Sequence, residues 1–251
     1  MSLLQVEGLT RRFGGLVAVN NASFGVAEGS ITAVIGPNGA GKTTLFNMIS
    51  GFMQPSEGKI MFAGESLLGL AAHQVAARGL VRTFQLVRPF PAMSIAENVR
   101  VGAHLRSKGG VFAALLGQPA QERRIAEEAL ALLDRVGLAG LGDQPPASLG
   151  YGQLRLLEIA RALATHPRLL LLDEPAAGLN HLETDRLAAL IRALHHEGMT
   201  VLLIEHDMRL VMDLAQHVVV LDFGRKIAEG TPAMVANDQA VLDAYLGGVD
   251  A

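Results

Sequence analysis

The chain of 251 residues contains no cysteine, which excludes disulfides, thiolate metal sites and a cysteine nucleophile. Its charge is nearly balanced, because 21 basic residues face 24 acidic ones and leave a formal net charge of −3. A nucleic-acid partner is therefore not expected. Residues 1–9 lack a basic segment followed by an apolar run, so we expect no signal peptide either.

An apolar run of membrane-spanning length is also missing from the sequence. The richest stretch, residues 154–172, is interrupted by several charged or histidine side chains. Half of the residues are nonetheless hydrophobic, which is enough for a sizeable core in a chain of this length. We therefore expect a soluble α/β protein, either in the cytoplasm or peripheral to a membrane.

A phosphate-binding loop is the clearest feature that the sequence does contain. The pattern G-x-x-x-x-G-K-[ST] is matched at every fixed position by Gly36-Pro37-Asn38-Gly39-Ala40-Gly41-Lys42-Thr43-Thr44. An apolar strand, residues 31–35, precedes the loop, and a helix start, residues 44–49, follows it. Lys42 is placed to reach the β- and γ-phosphates of a nucleotide, and the Thr43 hydroxyl to ligate Mg²⁺. The sequence therefore predicts a nucleotide-binding site.

The remainder of the chain divides into three parts by pattern. Residues 3–9 and 16–27 alternate loosely and predict antiparallel strands. Residues 86–150 hold no convincing buried strand, but residues 94–106 and 121–136 have helical patterns, which indicates an inserted helical lobe. From residue 149 strands and helices alternate again, and we expect residues 225–229 to close a small terminal sheet.

Two acidic residues end a second apolar strand. Residues 168–175 read R-L-L-L-L-D-E-P, which places Asp173 and Glu174 at the carboxyl end of a buried strand. Asp173 would hold Mg²⁺ through water, and Glu174 would orient or deprotonate an attacking water. An ordinary strand that ends in acids is the alternative, and the phosphate loop upstream favours the catalytic interpretation.

Three further residues have both a functional and an ordinary interpretation. Gln85 follows a strand and could sense the γ-phosphate or touch Mg²⁺, although an amide there is more often a plain loop residue. His206 follows the strand of residues 201–204, and such strand ends face the ligand crevice of an open α/β sheet. Phe13 could stack on adenine or belong to the core.

A second anion-ready surface opens the helix that begins near residue 151. Its residues are Leu149-Gly150-Tyr151-Gly152-Gln153, and glycines at a helix N-terminus expose N–H groups to an anion. Nothing within one chain explains a second such surface, whereas a second chain does.

Taken together, these features resemble the ATP-binding cassette (ABC) ATPases that power membrane transporters, over essentially the whole chain. Walker A corresponds to residues 36–44, the glutamine loop to Gln85, Walker B to residues 169–174 and the switch histidine to His206. The D-loop corresponds to residues 177–180, and the L-S-G-G-Q signature to residues 149–153, with Gly150 in place of the serine.

The resemblance implies a RecA-like P-loop core with an antiparallel β subdomain, formed by residues 1–86 and 151–251, and a helical subdomain at residues 87–150. It implies ATP and Mg²⁺ as cofactors, with catalysis assigned to Glu174, His206 and Gln85 and the metal to Thr43, Gln85 and Asp173. The resemblance assigns ATP contacts to Phe13, residues 36–44 and residues 149–153. Residues 149–153 would contact the ATP that is bound to the other cassette of a head-to-tail pair.

Finer segments resemble the longer ATPase subunit of branched-chain, or hydrophobic, amino-acid importers. They are R-F-G-G-L at residues 12–16, V-R-T-F-Q at 81–85, L-E-I-A-R at 157–161, P-A-A-G-L-N at 175–180 and L-I-E-H-D-M at 203–208. That resemblance implies a partner cassette, permease subunits and a periplasmic solute-binding protein, and hence a place at the cytoplasmic face of the membrane. We expect residues 87–99, with their apolar F-P-A-M segment, to dock the permease.

Other functions within and outside the family stay open at this point. Urea or short-amide uptake and lipid export use similar cassettes, and the transported solute and the identity of the partner cassette are not written in this chain. Cassette proteins without a permease, which act in DNA repair or on ribosomes, typically carry a very long insertion or two cassettes in one chain. This sequence has one cassette, a short helical lobe and an acidic net charge, which argues against that class. A phosphate-loop kinase is opposed by the glycine-rich signature and by Glu174.

Overall fold

A six-stranded sheet carries the residues that the sequence singles out. In the computed structural model, which describes residues 2–83, 88–104 and 119–246, its strand order is β10-β9-β3-β8-β7-β6. Strands β9, β3, β8, β7 and β6 run parallel, and β10 pairs antiparallel with β9 at the edge. The strands are β3 (Ile31–Ile35), β6 (Leu80–Arg82), β7 (Leu169–Asp173), β8 (Thr200–Ile204), β9 (His217–Asp222) and β10 (Arg225–Gly230).

The second sheet is antiparallel and has the order β2-β1-β4-β5. Its strands are β1 (Ser2–Phe13), β2 (Leu16–Ala27), β4 (Glu57–Phe62) and β5 (Glu65–Ser66). The two antiparallel strands expected near the N-terminus are therefore confirmed: β2 has the predicted bounds, and β1 extends beyond residues 3–9 at both ends.

Helices lie between the strands and after the last of them. They are α1 (Lys42–Ile49), α2 (Ala72–Ala77), α3 (Ile95–His104), α4 (Pro119–Arg135), α5 (Tyr151–Leu163), α6 (His181–His196), α7 (Met208–Leu214), α8 (Pro232–Ala236) and α9 (Gln239–Leu246). A short 3₁₀ turn, Pro146–Ser148, leads into α5.

Two hydrophobic cores cover the two faces of the six-stranded sheet. Along β7, Leu170 and Leu172 join the core under the helices, whereas Leu169 and Leu171 join the core shared with the antiparallel sheet. Alternate residues of a strand point to opposite faces, so a strand buried on both faces is nearly continuous in its apolar residues. This explains why β3, β7 and β8 read as continuous buried runs.

The helical part packs its predicted face inward. Ile125, Ala129, Leu132, Leu133 and Val136, which share one helical face in the sequence, are all buried. Helix α3 approaches α5 closely, because a Cβ added at Gly102 would lie 2.2 Å from the Arg161 carbonyl oxygen. In the described residues of 88–150 the structure contains helices and no strand.

The strand near the C-terminus differs from the prediction. Residues 225–229 were expected to close a separate small sheet, but β10 extends the six-stranded sheet through its antiparallel ladder with β9. The connecting Phe223 and Gly224 both have positive φ, at 40° and 78°. A two-residue turn of that kind forces the chain back onto the preceding strand.

Candidate functional site

The phosphate loop lies between β3 and α1, and its backbone is locked in place by neighbouring strands. Gly36 and Gly41 have φ of 149° and 95°, a region that side-chain-bearing residues rarely adopt. A Cβ at Gly36 would lie 2.0 Å from the Leu221 carbonyl oxygen, and one at Gly41 would lie 2.4 Å from that of Ala18. Only glycine therefore allows the loop to sit this close to β9 and β2.

Lys42 fills the centre of this loop. Its Nζ donates to the carbonyl oxygens of Gly36 at 2.6 Å and Pro37 at 2.9 Å. Burial lowers the pKa of Lys42, while the negative charge of Glu174 acts in the opposite direction. The ammonium group is thus held where a phosphate would offset its desolvation.

A cavity of about 370 Å³ opens over the loop. It is lined by Leu16, Val17, Ala18, Asn38, Gly39, Ala40, Gly41, Lys42, Thr43, Thr44, Glu174 and Phe223. The structure therefore brings the phosphate loop and Glu174 to one space, although they are far apart in sequence. This cavity fits a phosphate-bearing ligand, because the main chain of the loop, a lysine and a helix N-terminus converge on it.

The aromatic residue that lines this cavity differs from the one expected. Phe223, in the turn after β9, lines the cavity and is 87% exposed, yet its sequence context gave no sign of a site. Phe13 does not line the cavity, and the guanidinium of Arg11 lies 4.7 Å from its ring centroid. The adenine contact of Phe13 stays a prediction.

Asp173 is fixed at the end of β7 by a buried arginine on the adjacent strand. The Nη2 atom of Arg82 lies 2.6 Å from Asp173 Oδ2, and both side chains are buried. The Nη1 atom of the same arginine donates to Asn47 Oδ1 at 2.8 Å and Ser50 Oγ at 3.1 Å, both on or next to α1. Arg82 therefore holds the carboxylate beside the helix that follows the phosphate loop.

Glu174 and His206 meet at the carboxyl ends of β7 and β8. The two side chains approach to 3.9 Å between Glu174 Oε2 and His206 Nδ1, which is too long for a hydrogen bond. Glu174 has φ of 45°, and its N–H donates to the Ile204 carbonyl at 3.0 Å. Such a conformation costs about 1–3 kcal/mol in a residue other than glycine, and it directs this carboxylate into the cavity.

Glu205 lies beneath these residues and was not singled out by the sequence. Its side chain is fully buried and accepts from the N–H groups of Ala176 at 2.9 Å, His206 at 3.1 Å and Asp207 at 3.4 Å. Burial raises the pKa of Glu205, and the three N–H donors act against that shift. The one available signal was a carboxylate directly after an all-apolar strand.

The donors available for a metal ion suit Mg²⁺ held jointly with phosphates. Across residues 2–83, 88–104 and 119–246, no three His, Cys, Asp or Glu side chains converge on one point. Mg²⁺ typically takes one or two protein oxygens together with phosphate oxygens and water. Thr43 lines the cavity and offers such an oxygen, whereas Asp173 is paired with Arg82 and is not among the residues that line the cavity. Gln85, the third predicted ligand, lies outside the described residues.

Comparison with known proteins places this geometry in a family. Residues 19–177 match the family model described as ABC transporter, and residues 225–251 match the one described as branched-chain amino acid ATP-binding cassette transporter. The high-affinity branched-chain amino acid transport ATP-binding protein BraF of Pseudomonas aeruginosa is 49% identical over 98% of both chains. This chain belongs to the ABC transporter ATPase family.

Two further ABC ATPases extend the comparison to fold and sequence. LivG of Escherichia coli K12, another high-affinity branched-chain amino acid transport ATP-binding protein, is 46% identical over 98% of both chains. The ADP conformation of the cassette MJ1267 is 32% identical, with a TM-score of 0.86 over 98% of this chain and 99% of that one. The predicted ABC nucleotide-binding fold and ATPase activity are confirmed at this level.

The ABC signature forms a separate surface at the start of α5. Gly150 caps this helix with φ of −70°, and its N–H donates to Gln153 Oε1 at 3.1 Å. Tyr151 is packed against the D-loop, since a Cβ at Gly178 would lie 3.0 Å from its ring. Among the described residues, those of the signature, 149–153, do not line the Walker A cavity of the same chain.

A groove of about 400 Å³ lies between the core and the helical part of the cassette. Phe52 and Phe90 line it and are 56% and 43% exposed. Arg88 and Arg161 add positive charge, and the Arg161 guanidinium lies 5.6 Å from the Phe90 ring centroid. The apolar side chains of F-P-A-M therefore do not all pack into the helical core.

Among the described helices, none combines the length and apolar character that crossing a bilayer requires.

Proposed function

We propose that this chain is the ATP-hydrolysing subunit of an importer for branched-chain or other hydrophobic amino acids, at the cytoplasmic face of the membrane. The observation that carries the proposal is the near-full-length similarity to BraF and LivG, together with the separate match at residues 225–251. That C-terminal match favours amino-acid import over urea uptake or lipid export.

The residues of the site divide the hydrolytic work among them. Lys42 and the loop N–H groups bind the β- and γ-phosphates, and Thr43, Asp173 and Gln85 would hold Mg²⁺. The metal would supply positive charge against the charge that develops on the phosphate oxygens. Glu174 takes the proton of the attacking water, since its carboxylate faces the cavity beside Lys42.

A second cassette completes the site in this proposal. The signature of this chain does not line its own Walker A cavity, and it lies at the N-terminus of α5, an end of a helix that favours an anion such as the phosphate of a nucleotide held by a partner. Head-to-tail pairing would then place residues 149–153 of one cassette over the γ-phosphate of the other. The partner is either a second copy or a different cassette.

The permease docks in the groove that contains Phe52 and Phe90. An exposed apolar floor flanked by Arg88 and Arg161 suits a short permease helix with an apolar face and an acidic side chain. The periplasmic solute-binding protein acts through the permease rather than on this chain.

Co-expression with permease subunits and their binding protein tests the function. In proteoliposomes, leucine, isoleucine or valine should stimulate ATP hydrolysis, whereas urea, short amides and lipids should not. A Phe90→Cys variant should cross-link to cysteines in the permease loops, with a clear readout because the chain has no native cysteine. Stimulation by urea alone, or an introduced thiol that stays equally reactive in the assembled complex, would contradict the assignment.

A further inference from the structure

A fully buried carboxylate joins the two loops that carry the catalytic residues. Glu205 Oε1 accepts from Ala176 in the loop after β7, and Oε2 accepts from His206 and Asp207 in the loop after β8. We propose that Glu205 is a positioning residue for ATP hydrolysis, which sets the separation between Glu174 and His206 by tying their loops together.

The sheet itself stops just short of these loops. Strands β7 and β8 are paired in parallel up to Asp173 and Ile204. Beyond that pair, the N–H of Glu174 donates to Ile204 and the N–H of Ala176 donates to Glu205. The carboxylate thus continues the connection between the strands by two residues, to the point where the catalytic side chains project.

The chemistry of this position argues against a role in packing alone. An apolar residue would fill a buried position without desolvating a charge, whereas a buried carboxylate is costly unless it is hydrogen-bonded. Here the carboxylate satisfies three main-chain N–H groups from two loops, which an apolar side chain would leave without an acceptor. One of those loops holds Glu174 at φ of 45°, a conformation that persists only where its surroundings fix it.

Glu205→Gln is the most selective perturbation. The amide has nearly the shape of the carboxylate, but its NH₂ group cannot accept, so one of the two loops loses its acceptor. A misplacement of about 1 Å at a reacting group can cost about a hundredfold in rate. We expect kcat to fall about tenfold to a hundredfold, while the KM for ATP stays within about threefold, because the hydrogen bonds of Glu205 go to the loops after β7 and β8 and it does not line the Walker A cavity.

Three measurements on the full chain, alone and in its complex, separate positioning from a structural role. Hydrogen exchange should become faster at the amides of Ala176, His206 and Asp207 and stay unchanged at Lys42. Nucleotide affinity should be unchanged. In a double-mutant cycle, Glu205→Gln should slow a Glu174→Gln chain no further, because the residue that it positions is already lost.

The matched control is Glu229→Gln, the same chemical change at a carboxylate that pairs with Lys226 and His217 away from the site. If Glu205→Gln fails to fold, Glu205→Asp keeps the charge but is too short to reach both loops, and it should give the same kinetic pattern. Wild-type kcat and exchange in a folded variant would overturn the proposal. The proposal would also be overturned if Glu205→Gln lowered ATP affinity as much as it lowers kcat. The same holds if the rate loss caused by Glu205→Gln added fully to the rate loss caused by Glu174→Gln.

Discussion

Replacement of Gly150 by serine should strengthen the ATP-dependent association of this cassette with its partner. Gly150 occupies the position of the signature serine, and its backbone conformation, φ −70° and ψ 167°, is open to any residue. A Cβ at this position would meet nothing closer than Gln153 Oε1 at 3.9 Å. The substitution therefore adds a hydroxyl without strain.

The magnitude follows from the bond that the hydroxyl would make. A hydrogen bond to a charged group contributes about 1.5–3 kcal/mol, which is about tenfold to a hundredfold in an equilibrium constant. The same hydroxyl can accept from the first turn of α5, as serine does at many helix N-caps, and that would stabilise the isolated chain. Thermal melts of the isolated chain must therefore accompany the association assay. They separate an effect on the stability of the chain from an effect on its association with the partner.

The assay measures association at graded ATP concentrations in a Glu174→Gln background, where hydrolysis is blocked. Gly150→Ala is the control, because replacing glycine also restricts the unfolded chain. Serine should shift the association midpoint to lower ATP, and alanine should not. If serine and alanine behave alike, or if serine weakens association, Gly150 serves backbone geometry and the argument from the missing hydroxyl is refuted.

Two further predictions concern buried charges in the site. Arg82→Gln leaves the buried Asp173 carboxylate without its cation and should lower the free energy of unfolding by about 3–5 kcal/mol. The control Arg78→Gln removes an exposed ion pair with Glu65 and should lower it by no more than about 1 kcal/mol. Denaturant melts compare the two variants, and equal losses would contradict the role given to the buried pair. Burial lowers the pKa of Lys42 in the folded chain. At a pH below that lowered pKa, burying the charged ammonium reduces the free energy of unfolding. This loss of stability disappears as the pH rises toward 10.5, the ordinary pKa of lysine. Lys42→Met should therefore lose ATP binding yet melt at a higher temperature than wild type near neutral pH without nucleotide, and the difference in melting temperature should narrow at alkaline pH. A melting temperature below that of wild type near neutral pH would show that the two carbonyl contacts of Lys42 outweigh its burial.

The sequence predicted those parts of the site whose geometry is local. Residues 36–44 determine the phosphate loop because the glycines, the lysine and the helix start lie within one turn of chain. The positions of Asp173, Glu174 and His206 at one edge of the parallel sheet also followed from the sequence, since each lies at or just after the end of an apolar run, and their roles stay predictions. These predictions needed only the rule that strand ends face the ligand.

The residues that support the site depended on sheet order and could not be read from spacing. Arg82 contacts Asp173 because β6 lies next to β7, and Glu205 contacts Ala176 because β8 lies on the other side of β7. Phe223 enters the cavity only because β10 folds back on β9. Each of these contacts joins segments that are remote in sequence, so local patterns gave no signal.

The central claim is that Glu174 is the general base of an ATPase whose nucleotide is held by the Walker A loop. Glu174→Gln should keep ATP affinity and lower steady-state hydrolysis in the assembled transporter by about 10²–10⁴-fold, the usual contribution of a general base. Lys42→Ala should instead lose ATP binding itself, because it removes the full positive charge that lines the Walker A cavity in the described part of the chain. Measured side by side, bound ATP without turnover in Glu174→Gln is the predicted result, and wild-type turnover in that variant would contradict the account.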